Sequence, residues 1–251
     1  MKKPLLAAAA SIFAATLVLS PMAEAVELKV IAGGSMTASL NALAPEFEKA
    51  TGHKLVTHFD STPNIITRVT SGTPFDVVVV PVDVFKDATA KARFAPGPID
   101  IARVGYGVIV RTGAPRPDIS TPDALKKALL DAQSVTFLPA SAAGAYVLKT
   151  FERLGIAEAM KAKTKAQTAT TQIPVAVANG EAELGVFLVN VLMAPGVELA
   201  GSFPAELQQE LVFTAAVAAD SKQAQAARAF IDFLTTPAAA DVIKAKGMKP
   251  G

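Results

Sequence analysis

The sequence predicts an α/β protein of two lobes with a cleft between them, and two observations lead to that prediction. Short apolar runs alternate with helical segments along the chain, which is typical of parallel α/β layers. In addition, long β segments at 103–111 and 211–217 lie about a hundred residues apart, with a complete α/β unit between them. We expect such a spacing when a chain crosses from one lobe to another and later returns.

The pattern assigns the elements in order. An apolar strand at 28–32 runs into Gly33-Gly34-Ser35 and reopens as a helix that Gly52 ends. Pro63 marks an early position of the next helix. We predict strands at 28–32, 54–59, 76–80, 104–111, 134–138, 184–187 and 210–218. We predict helices at 36–50, 63–71, 83–90, 121–130, 142–154, 172–179, 221–235 and about 237–246.

The first 25 residues have the composition of a secretory signal peptide. Lys2 and Lys3 form a basic start, residues 5–19 an apolar core, and Ala23-Glu24-Ala25 a cleavage site. An uncleaved membrane anchor is the alternative, but the apolar run is shorter than the roughly 20 residues that span a bilayer. We therefore predict cleavage after Ala25 and a soluble, periplasmic product.

Composition excludes several classes of function. The formal net charge is +2, and no basic patch is interleaved with aromatic residues, so nucleic acid binding is not expected. The absence of cysteine excludes thiol catalysis and thiolate metal sites. Neither a Gly-x-Ser-x-Gly elbow, nor His-Glu-x-x-His, nor a phosphate loop occurs, which argues against a hydrolase.

The two histidines do not predict a metal site. His53 and His58 are five residues apart, whereas a chelating pair on a helix is three or four apart, and the segment between them is a predicted strand. We expect His53 to be a solvated loop residue. His58 shares a strand face with Val56 and Asp60, where it is either a structural histidine or part of a site.

The turn Gly33-Gly34-Ser35 is a candidate anion site. A strand–turn–helix connection of this kind aims backbone N–H groups, a hydroxyl and the positive end of a helix dipole at one point. An ordinary connection, in which the glycines only relieve backbone strain, is the alternative. If the turn binds an anion, a larger side chain at Gly34 should harm binding through backbone geometry and through volume.

Three further loops follow predicted strands at the edge where ligands bind in open parallel sheets. They are Asp60-Ser61-Thr62, Pro81-Val82-Asp83 and residues 140–144, and all are small or polar. Helix capping is the alternative role for each hydroxyl. Because the loops come from both halves of the chain, we expect one shared site.

Several sequence blocks resemble a known family. They read AGGSMT at 32–37, FEKATG at 47–52, SGTPFDV at 71–77, AGAY at 143–146 and GEAELGV at 180–186. Together they are similar to the periplasmic substrate-binding proteins of ABC transporters with the type II fold, within the molybdate-binding group. The resemblance implies two mixed sheets flanked by helices. It also implies one lobe from 26–104 plus 212–251, the other from 105–211, and a monomer that needs no cofactor or metal.

Carried over residue by residue, the resemblance implies a set of ligand contacts. It points to the first turn, the loop after the second strand, the AGAY loop and a later backbone N–H, that is, to Gly34, Ser35, Ser61, Thr62, Ala143, Gly144, Thr170 and Thr171. Hydroxyls and amides of this kind hold an oxyanion without a lysine or arginine. The tyrosine of molybdate binders is replaced by Leu188, which makes a small organic acid as credible a ligand as a metal oxyanion.

Two functions are compatible with these features. The chain is either a binding protein that delivers a small anion to an ABC transporter, or an isomerase of a small tricarboxylate such as aconitate, as in some similar periplasmic proteins. The isomerase would move a proton between carbons, with His58 and Asp60 as the candidate catalytic residues. Further titratable residues near the expected cleft are Asp83, Tyr106, Tyr146, Arg68 and Arg103. The tyrosines are alternatively packing residues, and Arg68 is alternatively solvated.

Overall fold

A computed structural model of the chain describes residues 25–251. The predicted signal peptide lies outside the described residues, apart from Ala25 at its end. Within the described part, no helix has both the length and the apolar character needed to cross a bilayer.

The strands and helices have the following bounds. The strands are β1 Glu27–Gly33, β2 Lys54–Asp60, β3 Val77–Pro81, β4 Ile99–Val104, β5 Tyr106–Arg111, β6 Val135–Phe137, β7 Thr164–Ala166, β8 Leu184–Leu188, β9 Val197–Ser202, β10 Leu211–Val217 and β11 Lys249–Pro250. The helices are α1 Thr37–Thr51, α2 Thr62–Thr70, α3 Ala88–Lys91, α4 Pro122–Asp131, α5 Ala142–Arg153, α6 Ala157–Lys163, α7 Gln172–Ala178, α8 Val189–Leu192, α9 Ala224–Leu234 and α10 Pro237–Ala245. Two short 3₁₀ helices, Gly34–Met36 and Val82–Lys86, follow β1 and β3.

The strands form two mixed sheets, one in each lobe, which confirms the predicted fold class. The first sheet has the order β11-β4-β10-β3-β1-β2, and the second has the order β7-β6-β8-β5-β9. In the first sheet β1 pairs in parallel with β2 and β3, whereas β10 is antiparallel to β3 and β4. In the second sheet β6 is parallel to β7 and β8, and β5 is antiparallel to β8 and β9.

The chain crosses between the two sheets at Gly105, and here one predicted element was wrong. Residues 104–111 were expected to be one strand, but β4 ends at Val104 in the first sheet and β5 begins at Tyr106 in the second. The Gln208 side chain accepts a hydrogen bond from the N–H of Tyr106 (2.7 Å) and donates to its carbonyl (3.0 Å). A Cβ at Gly105 would lie 2.9 Å from that side chain. Only a glycine therefore leaves room for the glutamine that holds the crossover.

Other differences between expectation and structure lie in short elements. The helix expected at 83–90 is a 3₁₀ helix followed by the four-residue α3, and α9 begins at Ala224 instead of 221. The elements missing from the prediction were α6, β7, α8, β9, β11 and all of β4 except Val104. Each has seven residues or fewer, which is too few for a clear apolar period.

The core explains why the valine run of β3 is continuous. Val77 and Val79 pack into the larger apolar cluster, while Val78 and Val80 pack into a second cluster on the other face of the first sheet. A strand that is covered on both faces has no solvent side, so its sequence does not alternate.

The block SGTPFDV contains a structural carboxylate, Asp76. Asp76 is buried, and its side chain accepts hydrogen bonds from the N–H of Lys29 (2.9 Å) and the hydroxyl of Ser221 (2.6 Å). These bonds tie the start of β3 to β1 and to the turn before α9. The block therefore serves the fold.

Candidate functional site

Loops from both lobes meet around a small cavity, called the first cavity below. Its polar wall consists of residues from the predicted loops and its floor is apolar. The lining residues are Gly33, Gly34, Ser35, Asp60, Ser61, Thr62, Pro81, Leu138, Ser141, Ala143, Thr170, Phe187, Leu211 and Phe213. The structure thus brings together six of the eight predicted ligand contacts.

A second cavity adjoins the first and shares part of its wall. Its lining residues are Gly34, Thr37, Phe59, Asp60, Ser61, Leu138, Thr168, Ala169, Thr170 and Thr171. Thr171 is therefore a wall residue of the second cavity alone. Gly144 and His58 line neither cavity.

The first turn takes its position from the pairing of β1 with β2. Gly33 lies opposite Asp60 in a parallel register, so the two strands end side by side and both following loops face the first cavity. The 3₁₀ helix Gly34–Met36 then leads into α1. Thr37 donates its hydroxyl proton to the carbonyl of Gly34 (2.7 Å), which leaves Ser35 as the hydroxyl of the turn that is free to face a ligand.

The reason for glycine at position 34 is space, and the expected contribution of backbone geometry was wrong. The glycines with positive φ lie elsewhere, and Gly34 is not among them. A Cβ at Gly34 would lie 3.2 Å from Oγ1 and 3.4 Å from Cγ2 of Thr170, which belongs to the opposite lobe. Gly34 therefore allows the two lobes to approach each other.

The second loop begins α2, where capping was the alternative role for its hydroxyls. Ser61 occupies the N-cap position but makes no side-chain capping bond, and Pro63 lies in the first turn as predicted. Thr62 Oγ1 accepts a hydrogen bond from the N–H of Ala142 at 3.0 Å. Because this bond uses only a lone pair of Thr62 Oγ1, the proton of the Thr62 hydroxyl is still available to a ligand.

The third loop begins α5 and contributes backbone groups. The Ser141 hydroxyl accepts from the N–H of Gly144 (2.9 Å) and donates to the carbonyl of Leu138 (2.8 Å), so both of its roles are used within the loop. Ala143 lines the first cavity through the first turn of α5, where N–H groups have no partner within the helix. A Cβ at Gly144 would collide with the carbonyl of Leu138, which gives that glycine a packing role.

Asn190, a residue that the sequence did not suggest, joins the second lobe to the first turn. It is buried on α8, and its Nδ2 donates to the carbonyl of Ser35 at 2.7 Å. Its Oδ1 is a buried acceptor without a hydrogen-bond partner in the described part of the chain. The sequence pointed instead to Leu188, which is fully buried two residues earlier. With the Thr62–Ala142 bond, this contact holds the cleft in a closed arrangement.

The site lacks a cation and contains one acidic residue. None of the residues lining the two cavities is lysine, arginine or histidine, and Asp60 alone is charged. Burial would raise the pKa of Asp60, but hydrogen bonds from Asn64, from the N–H of Ser61 and from His58 outweigh it and hold that pKa below its usual range. Asp60 is therefore ionised at neutral pH, with its Oδ2 lying 3.3 Å from Nε2 of His58.

Free donors around the first cavity compensate for the missing cation. Among residues 25–251, the hydroxyls of Ser35, Ser61 and Thr170, which line this cavity, have no hydrogen-bond partner. The 3₁₀ helix Gly34–Met36 and the amino-terminal turns of α2 and α5 lie at the same cavity. Their unpaired N–H groups and dipoles favour a negative charge there.

The other titratable candidates lie outside both cavities. Tyr146 donates its hydroxyl proton to the carbonyl of Leu207 (2.7 Å) and packs at 4.8 Å against the ring of Tyr106, whose pKa is raised by burial. Asp83 pairs with Lys86. Neither tyrosine, nor Asp83, Arg68 or Arg103, lines either cavity.

The expectation for His53 was wrong. Its side chain is buried, and Nδ1 accepts a hydrogen bond from the N–H of Val26 at 3.3 Å. Within residues 25–251, no group of three or more metal-ligating side chains comes together.

The chain is similar to a known family and to several known proteins. A family model described as a bacterial extracellular solute-binding protein matches residues 28–249. An aconitate isomerase from Pseudomonas sp. is 32% identical over 98% of this chain and 96% of its own length. A molybdate-binding protein from Azotobacter vinelandii is 29% identical, with 90% of each chain covered.

Solved structures share the same fold. The periplasmic molybdate-binding protein of Azotobacter vinelandii superposes with a TM-score of 0.74 at 20% identity, covering 88% of this chain and 98% of its own. A tungstate-binding protein from Desulfovibrio alaskensis superposes with a TM-score of 0.65 at 16% identity, covering 90% and 99%. Because the family model spans nearly all of the described residues, the chain belongs to the family of bacterial extracellular solute-binding proteins.

Proposed function

We propose that this protein captures a small anion in the periplasm, between its two lobes, and delivers it to an ABC transporter. The observation that carries the proposal is the first cavity. It is lined by free hydroxyls and by helix amino-terminal turns from both lobes, and by no cationic side chain. Neutral donors of this kind stabilise an oxyanion and also allow its release, because no ion pair has to be broken.

The contacts across the cleft support binding by closure. The first lobe contributes Ser35, Ser61 and Thr62, and the second contributes Ala143 and Thr170. An anion that bridges these groups stabilises the closed form because it contacts both lobes at once. Molybdate, tungstate and sulfate are ligands named for relatives or structural neighbours, and small organic acids are equally compatible with the donors.

Three finer inferences belong to this proposal. The lobes would be 26–104 plus 212–251 and 105–211, with the crossover at Gly105 lying at their boundary. Residues 1–25 would be removed on export, which mass spectrometry of the secreted protein can measure. The mature protein would act as a monomer, which light scattering can measure.

The proposal predicts that Ser35→Ala weakens anion binding and leaves the fold intact. Losing one hydrogen bond to a charged ligand costs about 1.5–3 kcal/mol, which corresponds to roughly 10- to 100-fold in Kd. The measurement is a thermal shift screen of the mature protein against molybdate, tungstate, sulfate, phosphate, citrate and both aconitate isomers. A ligand at a hundredfold excess over its Kd stabilises the wild type by about 2.7 kcal/mol, a rise of roughly 5–10 °C.

Ser202→Ala is the matched control, since Ser202 is an exposed serine at the end of β9. It should bind as the wild type does. If none of these anions stabilises the wild type, the proposal fails. If Ser35→Ala and Ser202→Ala bind a stabilising anion equally well, the first turn is not part of the site.

An aconitate-type isomerase is the second candidate function. It is favoured by the 32% identity to an aconitate isomerase over nearly the whole chain and by the His58–Asp60 contact beside the cavities. An ionised Asp60 would take a proton from one carbon of the bound acid, and the Asp60–His58 pair would return a proton to the other carbon. Against this role, His58 does not line either cavity.

The isomerase candidate predicts that purified protein converts cis-aconitate into the trans isomer, measured by chromatography. His58→Gln and Asp60→Asn should each lower the rate by about 100-fold or more, as expected for loss of a general acid or base. Asp83→Asn, which changes a carboxylate outside both cavities, should leave the rate unchanged. Absence of turnover in the wild type, with aconitate bound, would leave transport as the function.

A further inference from the structure

The anion site extends beyond the first cavity. The first cavity adjoins the second, and the two share Gly34, Asp60, Ser61, Leu138 and Thr170 in their walls. An anionic group held in the first cavity therefore has a neighbouring space into which the rest of a molecule can extend.

The second cavity has a lining of its own. Phe59 provides an aromatic surface, and the loop 168–171 provides three hydroxyl-bearing residues and one alanine. Phe59 precedes Asp60 on β2 and so points to the opposite side of that strand. A carbon skeleton can pack on the ring while its oxygens meet the loop.

The donors of the loop 168–171 can be assigned one by one. Gln172 Oε1 accepts from the N–H and the hydroxyl of Thr168 (3.0 and 3.1 Å) and from the N–H of Ala169 (2.9 Å). These three bonds fix the loop and use its first donors. Within the described residues the hydroxyls of Thr170 and Thr171 have no partner, so they remain available to a ligand.

We propose that the ligand is an elongated organic acid, with one carboxylate in the first cavity and an oxygen-bearing remainder in the second. This inference rests on the proposed function and names its substrate class. A metal oxyanion would occupy the first cavity alone and leave the donors of Thr171 and the ring of Phe59 without a contact. Thr170 is partly buried and Thr171 is exposed at the mouth of the second cavity, and an organic ligand of several oxygen groups would contact both hydroxyls.

Isothermal titration calorimetry of the mature chain tests the substrate class. The probes are molybdate and sulfate as single oxyanions, acetate as a carboxylate without a remainder, and succinate, citrate, cis-aconitate and trans-aconitate as elongated acids. We expect the best elongated acid to bind at least about tenfold more tightly than acetate or either oxyanion, through two or more added contacts.

Thr171→Val then locates the remainder, because it removes a hydroxyl found only in the second cavity and nearly conserves side-chain shape. It should weaken the best elongated acid by about 3- to 10-fold, the effect of one lost hydrogen bond. Its effect on molybdate or sulfate should stay within about twofold. Ala169→Leu, which adds side-chain volume at the wall of the second cavity, should show the same selectivity.

Matched controls are Thr89→Val and Ala159→Leu, at exposed positions on α3 and α6. Both should bind every probe as the wild type does. If no probe binds the wild type, the proposed function itself fails. If an oxyanion binds more tightly than every elongated acid, or if Thr171→Val and Ala169→Leu both spare the elongated acids, the substrate class is overturned while anion capture stands.

Discussion

Asn190→Asp should destabilise the protein more than any other single change to a charged or polar contact of the cleft. It replaces the Nδ2 donor, 2.7 Å from the carbonyl of Ser35, by a carboxylate oxygen in a buried site. An unpaired buried charge costs about 3–5 kcal/mol, or a fall of roughly 6–20 °C in melting temperature for a chain of this size. Thermal unfolding followed by circular dichroism measures it.

The loss of stability in Asn190→Asp should grow as the pH rises. Burial raises the folded-state pKa of a new aspartate above its unfolded value of about 3.9. Below about pH 4 the side chain is protonated in both states and can donate to Ser35, so the variant should approach the stability of the wild type there. The deficit should open as the pH rises through the folded-state pKa. Asn41→Asp, at an exposed position of α1, is the matched control.

A deficit in Asn190→Asp that is the same at every pH would contradict the assignment of the donor. The neutral variant Asn190→Leu gives an independent measurement. It leaves the carbonyl of Ser35 without its partner, so it should cost about 1–3 kcal/mol at every pH. It should also weaken ligand binding, because the Asn190 side chain would no longer hold the carbonyl of Ser35, and with it the first turn, in place.

Gly34→Val should weaken anion binding by about 10- to 100-fold. Its side chain would enter the space in which Thr170 approaches from the opposite lobe, at 3.2–3.4 Å from the position of a Cβ. Overpacking of this kind costs about 1–3 kcal/mol, and the cost falls on the closed form, in which the lobes meet. Isothermal titration calorimetry with an anion from the thermal shift screen measures the loss.

A double-mutant cycle separates this clash from other causes. Gly34→Ala should weaken binding when Thr170 is present and should have almost no effect in a Thr170→Ala background, where the opposing atoms are gone. Ala38→Val, one turn along on the exposed side of α1, controls for adding a β-branched residue to this segment. Equal losses from Gly34→Ala in both backgrounds would contradict the proposed role of Thr170.

The local features of the fold could be predicted from residue patterns. The apolar strand β1, the glycine turn after it and the helix α1 follow one another within 25 residues, and each is specified by its own sequence. Gly52 ends α1 with a φ of 77°, a conformation that glycine adopts without strain. Pro63 begins α2 for an equally local reason, since its fixed φ suits the first helical turn.

The candidate site was predicted where a backbone turn defines it and was missed where a distant side chain does. Ser35, Ser61 and Ala143 lie in turns that a motif can reveal. Asn190 reaches Ser35 across 155 positions of sequence, and the Thr62–Ala142 bond spans 80. Neither contact leaves a pattern in the neighbouring residues, and Leu188 drew attention to a position whose side chain is fully buried.

The sequence by itself determined the α/β class, the order of the major elements, the position of the glycine turns and the absence of cysteine chemistry, because each depends on local periodicity or on composition. Only the tertiary structure decided that the chain crosses between sheets at Gly105, that His53 is buried, that Gly34 is needed for space and that two cavities adjoin. These features depend on which distant surfaces meet once the two lobes have packed, and long-range packing is not encoded in the residues next to each position.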